Sequence, residues 1–133
     1  MKGNILFKEK FKKQNNPKIS IIVSVYNRAS FIKKLLNSIQ CQNLTEIEIV
    51  FVDDHSTDNS VKIIEQEMKS DERIILHKNE KNMGNLYTKS LGAKFAKGEY
   101  LMSLDSDDLL LPEDLLSYIK YSPFAIFAPN DFV

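Results

Sequence analysis

The sequence predicts an α/β protein with a mostly parallel, doubly wound sheet and helices on both of its faces. Three observations carry that expectation. Short β-branched runs alternate with stretches of helical periodicity. The runs are apolar at nearly every position, as strands covered on both faces are, rather than at every second one. Two of them stop abruptly in clustered carboxylates. At 133 residues, 43% hydrophobic and 27% charged, the chain has the size and makeup of one soluble domain.

Taken in order, residues 1–17 predict a basic, flexible leader, with residues 18–133 forming the domain. Phe7 and Phe11 lie one helical turn apart, a spacing that also suits a short amphipathic helix on a membrane surface. Residues 18–26 hold Ile19-Ser20-Ile21-Ile22-Val23-Ser24-Val25, a first strand that Asn27-Arg28-Ala29 breaks. Ser30 can cap a helix whose Ile32, Leu35, Leu36 and Ile39 follow the i, i+3, i+4, i+7 rule. Residues 48–52 read as a second strand ending in Asp53-Asp54-His55-Ser56-Thr57-Asp58. Ser56 or Thr57 can cap the next helix, with Val61, Ile64 and Met68 on its inner face. A short third strand covers residues 73–77, followed by an Asn- and Gly-rich turn over residues 79–84. Tyr87, Leu91 and Phe95 make an i, i+4 stripe on a third helix, which Gly98 ends. Residues 100–104 read as a buried fourth strand running into Asp105-Ser106-Asp107-Asp108. Pro112 then opens a helix faced by Leu115, Leu116 and Ile119. Residues 124–128 look like a fifth strand. Strands that alternate with helices in this way call for parallel pairing and right-handed crossovers.

Several function classes fall away at once. The formal net charge is zero, so overall charge points to neither nucleic acid nor a membrane, although residues 1–18 alone hold six Lys and one Glu. A single cysteine, Cys41, excludes a disulfide framework and a cysteine-based zinc site. No apolar run approaches the ~18 residues of a membrane span, and no signal-peptide core is visible, so a cytoplasmic setting is expected. There is no Walker lysine motif, no Gly-x-Gly-x-x-Gly after the first strand and no Gly-x-Ser-x-Gly elbow. His77 reads as structural, and His55 as a bystander at the ligand edge.

What remains is acid at strand ends. In open α/β sheets ligands bind beyond the carboxyl ends of the strands. Here those ends are residues 24–27, 53–56 and 105–108. Three carboxylates within four residues repel one another, and a divalent cation with a preference for hard oxygen resolves the conflict. The plainer alternative is a solvated loop in which Asp107 or Asp108 caps the following helix. One acidic cluster to hold a metal on a diphosphate and another to accept from a base or sugar would suit a nucleoside-diphosphate ligand.

These motifs also carry a resemblance. Ser20-Ile21-Ile22-Val23-Ser24-Val25-Tyr26-Asn27 and Glu48-Ile49-Val50-Phe51-Val52-Asp53-Asp54-His55-Ser56-Thr57-Asp58 come first. Asn82-x-Gly84, Gly98-Glu99-Tyr100 and Asp105-Ser106-Asp107 follow in order. The chain resembles the nucleotide-binding half of a family 2 glycosyltransferase of GT-A fold, from about residue 18 to at least residue 116. The resemblance implies that Ser24 and Tyr26 line a nucleobase pocket and that Asp54, with Asp53, accepts from the base, typically uracil. It implies that Asp105 lies at the ribose or the metal, that Asp107 binds Mn²⁺ or Mg²⁺, and that Lys89 contributes to nucleotide binding. The donor would be a nucleotide sugar, a UDP-sugar first of all, transferred with inversion to a glycan, lipid or protein hydroxyl. Two departures stand out. Lys89-Ser90 replaces the Arg-Asn of many relatives, so a planar fork is lost. Between Pro112 and Val133 no catalytic base is evident: Glu113 and Asp114 read as first-turn helix charges and Asp131 is too near the end to place. We therefore expect the acceptor half to be missing from this sequence. The competing reading is a non-catalytic, sugar-nucleotide-binding remnant completed by a partner. A nucleotidyltransferase is less apt, because no Gly-rich loop follows the first strand.

Overall fold

The computed structural model describes residues 16–121. The residues before Asn16, with most of the basic leader, and those after Tyr121, with the expected fifth strand, lie outside the described residues. Within them the order is β1 (Ile19–Val25), α1 (Ala29–Gln40), β2 (Ile47–Asp53), α2 (Ser60–Met68), β3 (Ile74–Lys78), α3 (Asn85–Phe95), β4 (Tyr100–Asp105) and α4 (Asp114–Tyr121). The four strands form one sheet in the order β3-β2-β1-β4, every neighbour parallel. The α/β class, the parallel pairing and the helices on both faces are as the sequence predicts.

Side-chain alternation divides the sheet into two faces. Ile19, Ile21, Val23 and Val25 of β1, with Ile47, Ile49 and Phe51 of β2, point to one side. There they meet Ile32, Leu35, Leu36 and Ile39 of α1, Ile64 of α2 and Leu115 of α4. Ile22, Val50, Val52 and Leu101 point to the other side, which α3 covers with Ala93 and the adjoining Ala96. At about 25 cal/mol per Å² of buried apolar surface, these two layers supply the main driving force for folding. β1 is central and wholly enclosed apart from Ser24, which is why its run is apolar on both parities.

Where the sequence misleads, packing explains it. Of the Tyr87–Leu91–Phe95 stripe of α3, only Leu91 packs against the sheet layer. The residues that turn inward are Thr88, Gly92 and Ala93, while Tyr87 and Phe95 are exposed. Small residues let the helix lie directly on the sheet. A Cβ built on Gly92 would come within 2.5 Å of Ile22 Cγ2 and 3.2 Å of Val52 Cγ2. Phe95 instead stacks on His77 at the rim, with ring centroids 3.8 Å apart, which gives that histidine a packing role. Met68 and Leu116 likewise face outward: Ile64 fills the α2 interface, and Leu115 with Tyr118 and Ile119 fills that of α4. β4 is an edge strand among the described residues, so only its first half is buried. Pro112 does not open α4. The helix starts at Asp114, after a turn in which Glu113 takes φ +67°, a conformation that no helix contains.

The amino edge of the sheet is closed by a buried polar cluster. Glu48, 4% exposed, accepts from the Ser20 hydroxyl and the Lys97 backbone N–H, and Ser20 Oγ accepts from the Gly98 N–H at 2.7 Å. Gly92→Val should overpack the α3–sheet contact and lower stability by about 2 kcal/mol. A fall in the urea midpoint with an unchanged slope would confirm this.

Candidate functional site

The carboxyl edge is held open by loops that bind one another. After β1, Asn27 adopts φ +53°, which asparagine tolerates. Its Oδ1 accepts from the Thr57 N–H at 2.8 Å and the Asp58 N–H at 3.3 Å, and its own N–H donates to Ser56 Oγ at 2.9 Å. The Arg28 N–H donates to Ser60 Oγ and the Ala29 N–H to Asp58 Oδ2. Neither Ser30 nor Ser56 nor Thr57 acts as a helix cap. Asp58 serves both helices, bonding Ala29 at the start of α1 and both the N–H and the hydroxyl of Ser60 at the start of α2. Burial would raise the pKa of Asp58, but those donors outweigh it and hold the carboxyl below its ordinary value.

The two adjacent carboxylates after β2 do different work. Asp53 is buried and turns back on its own loop, accepting from the Ser56 N–H at 2.9 Å and from the Ser56 hydroxyl. It does not line the cleft described next, in contrast to the expectation from the resemblance. Asp54 does line it. Its Oδ1 accepts from Asn79 Nδ2 at 2.9 Å and the Met83 N–H at 2.7 Å, and its Oδ2 accepts from the Gly84 N–H at 3.0 Å. Asn82 Nδ2 reaches the Asp54 carbonyl. Asp54 therefore fixes the turn that launches α3, whose N-cap Gly84 has φ +92°. Desolvation of this 5% exposed residue pushes its pKa up, but the Met83, Asn79 and Gly84 donors together bring it below the ordinary aspartate value.

A cleft of about 470 Å³ opens between these loops and the end of β4. Ser24, Tyr26, Asp54, Asp105 and Asp107 all line it, so the structure brings together five of the expected site residues. Ser24 donates to Asn85 Oδ1 at 2.6 Å, and Tyr26 is half-exposed at the rim. Lys89 is not a wall residue. Its Nζ lies 2.9 Å from Asp105 Oδ1. Arg28, Asn85 and Thr88 also line the cleft and were not singled out as site residues from the sequence, while Asn82, Gly84 and Ser106 entered only through the Asn82-x-Gly84 and Asp105-Ser106-Asp107 motifs. His55 is exposed and stands outside the lining.

Asp105, Asp107 and Asp108 each offer an oxygen within 4.8 Å of the other two. These three exposed side chains would hold a divalent cation. The donors are all hard carboxylate oxygens, which fits Mg²⁺ or Mn²⁺. Asp108 belongs to the acidic cluster read from the sequence but not to the ligands that the resemblance implies; its Oδ2 accepts from the Asp105 N–H at 3.1 Å.

The parallel sheet with an acidic cleft at its carboxyl edge matches the architecture of solved GT-A glycosyltransferases. The sequence matches Glycosyl transferase family 2 over residues 20–129, and the chain belongs to that family. It is 40% identical over 93 residues to the glycosyltransferase GlyG of Streptococcus pneumoniae, covering 69% of this chain and 31% of that protein. It is 34% identical over 107 residues to a glycosyltransferase of Haemophilus influenzae, covering 80% of this chain and 43% of the relative. The chain thus spans less than half the length of these curated relatives. Among solved structures, S. aureus TarS 1-349 in complex with UDP-GlcNAc superposes with a TM-score of 0.73 at 34% identity, covering 80% of this chain and 31% of that TarS 1-349 chain. The mannosyltransferase PcManGT from Pyrobaculum calidifontis, in complex with GDP-Man and Mn²⁺, gives 0.74 at 25% identity, with 80% and 32% covered.

Asp54→Asn should destabilise the fold by about 1–3 kcal/mol at pH 7, because an amide nitrogen would face a backbone N–H. The native carboxyl titrates below its unfolded value of about 3.9, so its stabilisation is complete above that pH and is lost as pH falls through the folded pKa. The gap between wild type and variant in urea melts should therefore narrow below about pH 4.

Proposed function

We propose that this chain binds a nucleotide-sugar donor, a UDP-sugar first of all, through a divalent cation, and that the site serves inverting transfer of the sugar to an acceptor hydroxyl. The observation that carries this reading is the meeting of Asp54, at the end of β2, with Asp105 and Asp107, beyond β4, in one cleft of about 470 Å³. That volume accommodates a nucleoside diphosphate. Family membership, and the nucleotide-sugar complexes of TarS and PcManGT, support it.

In this reading Tyr26 and Ser24 flank the base. Asp54 accepts from it through the one lone pair of Oδ2 that the Gly84 N–H leaves open. Asp105, Asp107 and Asp108 hold the cation. When bound, the cation neutralises charge on the diphosphate and so makes it a better leaving group. Lys89 keeps Asp105 oriented and offsets part of the acidic charge around it. Asp53 has a supporting role, since it holds the Ser56 loop on which Asn27 rests. The acceptor and the general base that activates it are not assigned to any residue of this cleft.

Calorimetric titration of the 133-residue chain with UDP tests the reading. Mn²⁺ should tighten UDP binding by about tenfold or more, and Asp107→Ala should abolish that gain while leaving metal-free binding as it was. Equal affinity of the variant and the wild type in Mn²⁺ would remove Asp107 as a metal ligand. If the wild-type chain shows no UDP binding under any condition, the donor site itself is refuted.

A further inference from the structure

β3 is an edge of the sheet among the described residues. Its ladder to β2 uses every second residue. The Ile49 N–H donates to the Arg73 carbonyl and the Asn79 N–H to the Asp53 carbonyl, and by parity Ile75 and His77 face β2 between them. The backbone N–H and C=O groups of Leu76 and Lys78 therefore point away from β2, along the open edge. The Ile74 N–H is already engaged, by the Asp71 carbonyl at 3.3 Å.

The strand is also thinly covered, with only Ile74 of its five residues buried. On one face a groove of about 560 Å³ lies between α2 and β3, lined by Met68 and Leu76 together with Lys62, Lys69 and Lys78. On the other face, Ile75 and His77 lie toward α3, and the exposed Phe95 stacks on His77. A second groove of about 530 Å³, lined by Lys81, Met83 and Tyr87, continues past the end of the strand and shares Lys78 with the first. A strand added along this edge would send alternate side chains to the two sides.

Charge selects the occupant. The two grooves hold Lys62, Lys69, Lys78 and Lys81 against Glu65 and Glu80. Glu65 is paired with Lys78 at 3.7 Å, and Lys62, Lys69 and Lys81 have no ion-pair partner among the described residues. A second copy of the chain would bring the same lysines together, the repulsion by which edge lysines prevent self-pairing. Residues 1–18, with six Lys and one Glu, carry the same sign. An acidic strand is attracted where both of these are repelled.

We propose that the β3 edge is a docking site for an extended acidic segment of a partner protein. The segment pairs with Leu76 and Lys78 through its backbone, sets carboxylates among Lys62, Lys69 and Lys78, and lays apolar side chains toward Phe95 and Tyr87. Main-chain bonds give such a contact its affinity, and the alternating side chains its choice of partner. No residue lining these two grooves lines the donor cleft, so the proposal is independent of nucleotide binding.

The test follows amide hydrogen exchange at Leu76 and Lys78 by NMR in the 133-residue chain. The probe is the end-capped peptide Glu-Val-Glu-Val-Glu-Val-Glu, and the control is Lys-Val-Lys-Val-Lys-Val-Lys. We expect the acidic peptide alone to slow exchange at both amides. The double variant Lys62→Glu with Lys69→Glu should bind it about tenfold or more weakly, with the thermal melt of the wild type. Binding without protection of Leu76 and Lys78 would reduce the contact to a charge effect and overturn the strand pairing. Equal binding of the two peptides, unchanged affinity in the variant, or no binding of the acidic peptide would overturn the acidic partner. Protection that appears without peptide and rises with protein concentration would assign the edge to a second copy. Protection lost on removing residues 1–15 would assign it to the leader. Either result would overturn the proposal.

Discussion

The register of β1 between its two neighbours is the constraint on which the rest of the structure depends. Ser24 lies level with Val52 on one side and Asp105 on the other, and Val25 lies level with Asp53. Parallel pairing at this register brings the last residues of β1, β2 and β4 to one edge, so carboxylates some fifty positions apart in sequence share one cleft. A slip of one residue would turn Ile21 and Val23 out of their layer and Ile22 into it, against the packing of both faces. The apolar contacts of the sheet interior thus secure the alignment of groups at its rim that they do not touch.

With the edge aligned, each carboxylate takes a role from its surroundings. Asp53, Asp54 and Asp58 stand within six residues of one another, and all three are tied to backbone N–H groups. Asp53 shapes a loop and Asp58 joins two helix starts. Asp54 fixes the α3 turn and still faces the cleft. Asp105, Asp107 and Asp108, by contrast, are exposed and have few internal donors, so their charge is available to a cation. The difference between structural and ligand-directed acid lies in how many protein N–H groups each one already satisfies.

Much of this was legible in the sequence, and the failures share a cause. The strands announced themselves because β1 and β2 are covered on both faces and need apolar residues throughout. The acidic strand ends were legible because nothing in a strand calls for them. The inner face of α3 was not, because large apolar residues are taken as buried by default, whereas Gly92 and Ala93 are inward for want of space. The helix starts failed for a related reason: the cap came from Asp58, which the local pattern of α1 could not reveal. Arg28 carries no local signal either. Its place in the cleft wall follows from the turn after β1, whose backbone is tied to the start of α2.

The closed polar cluster at the opposite edge has a consequence for how this chain can drift. A Cβ on Gly98 would meet the Ser20 backbone nitrogen at 2.5 Å and the Ile19 carbonyl carbon at 2.8 Å, atoms that cannot move aside without disturbing β1. Glu48 is walled in beside them. Sequence change at that end is therefore nearly frozen, and at the far rim it is freest at side chains such as Tyr26 and Arg28, which are exposed and do not tie the loops together. Descendants of such a chain would vary first in the exposed side chains of the rim and keep the same frame beneath it.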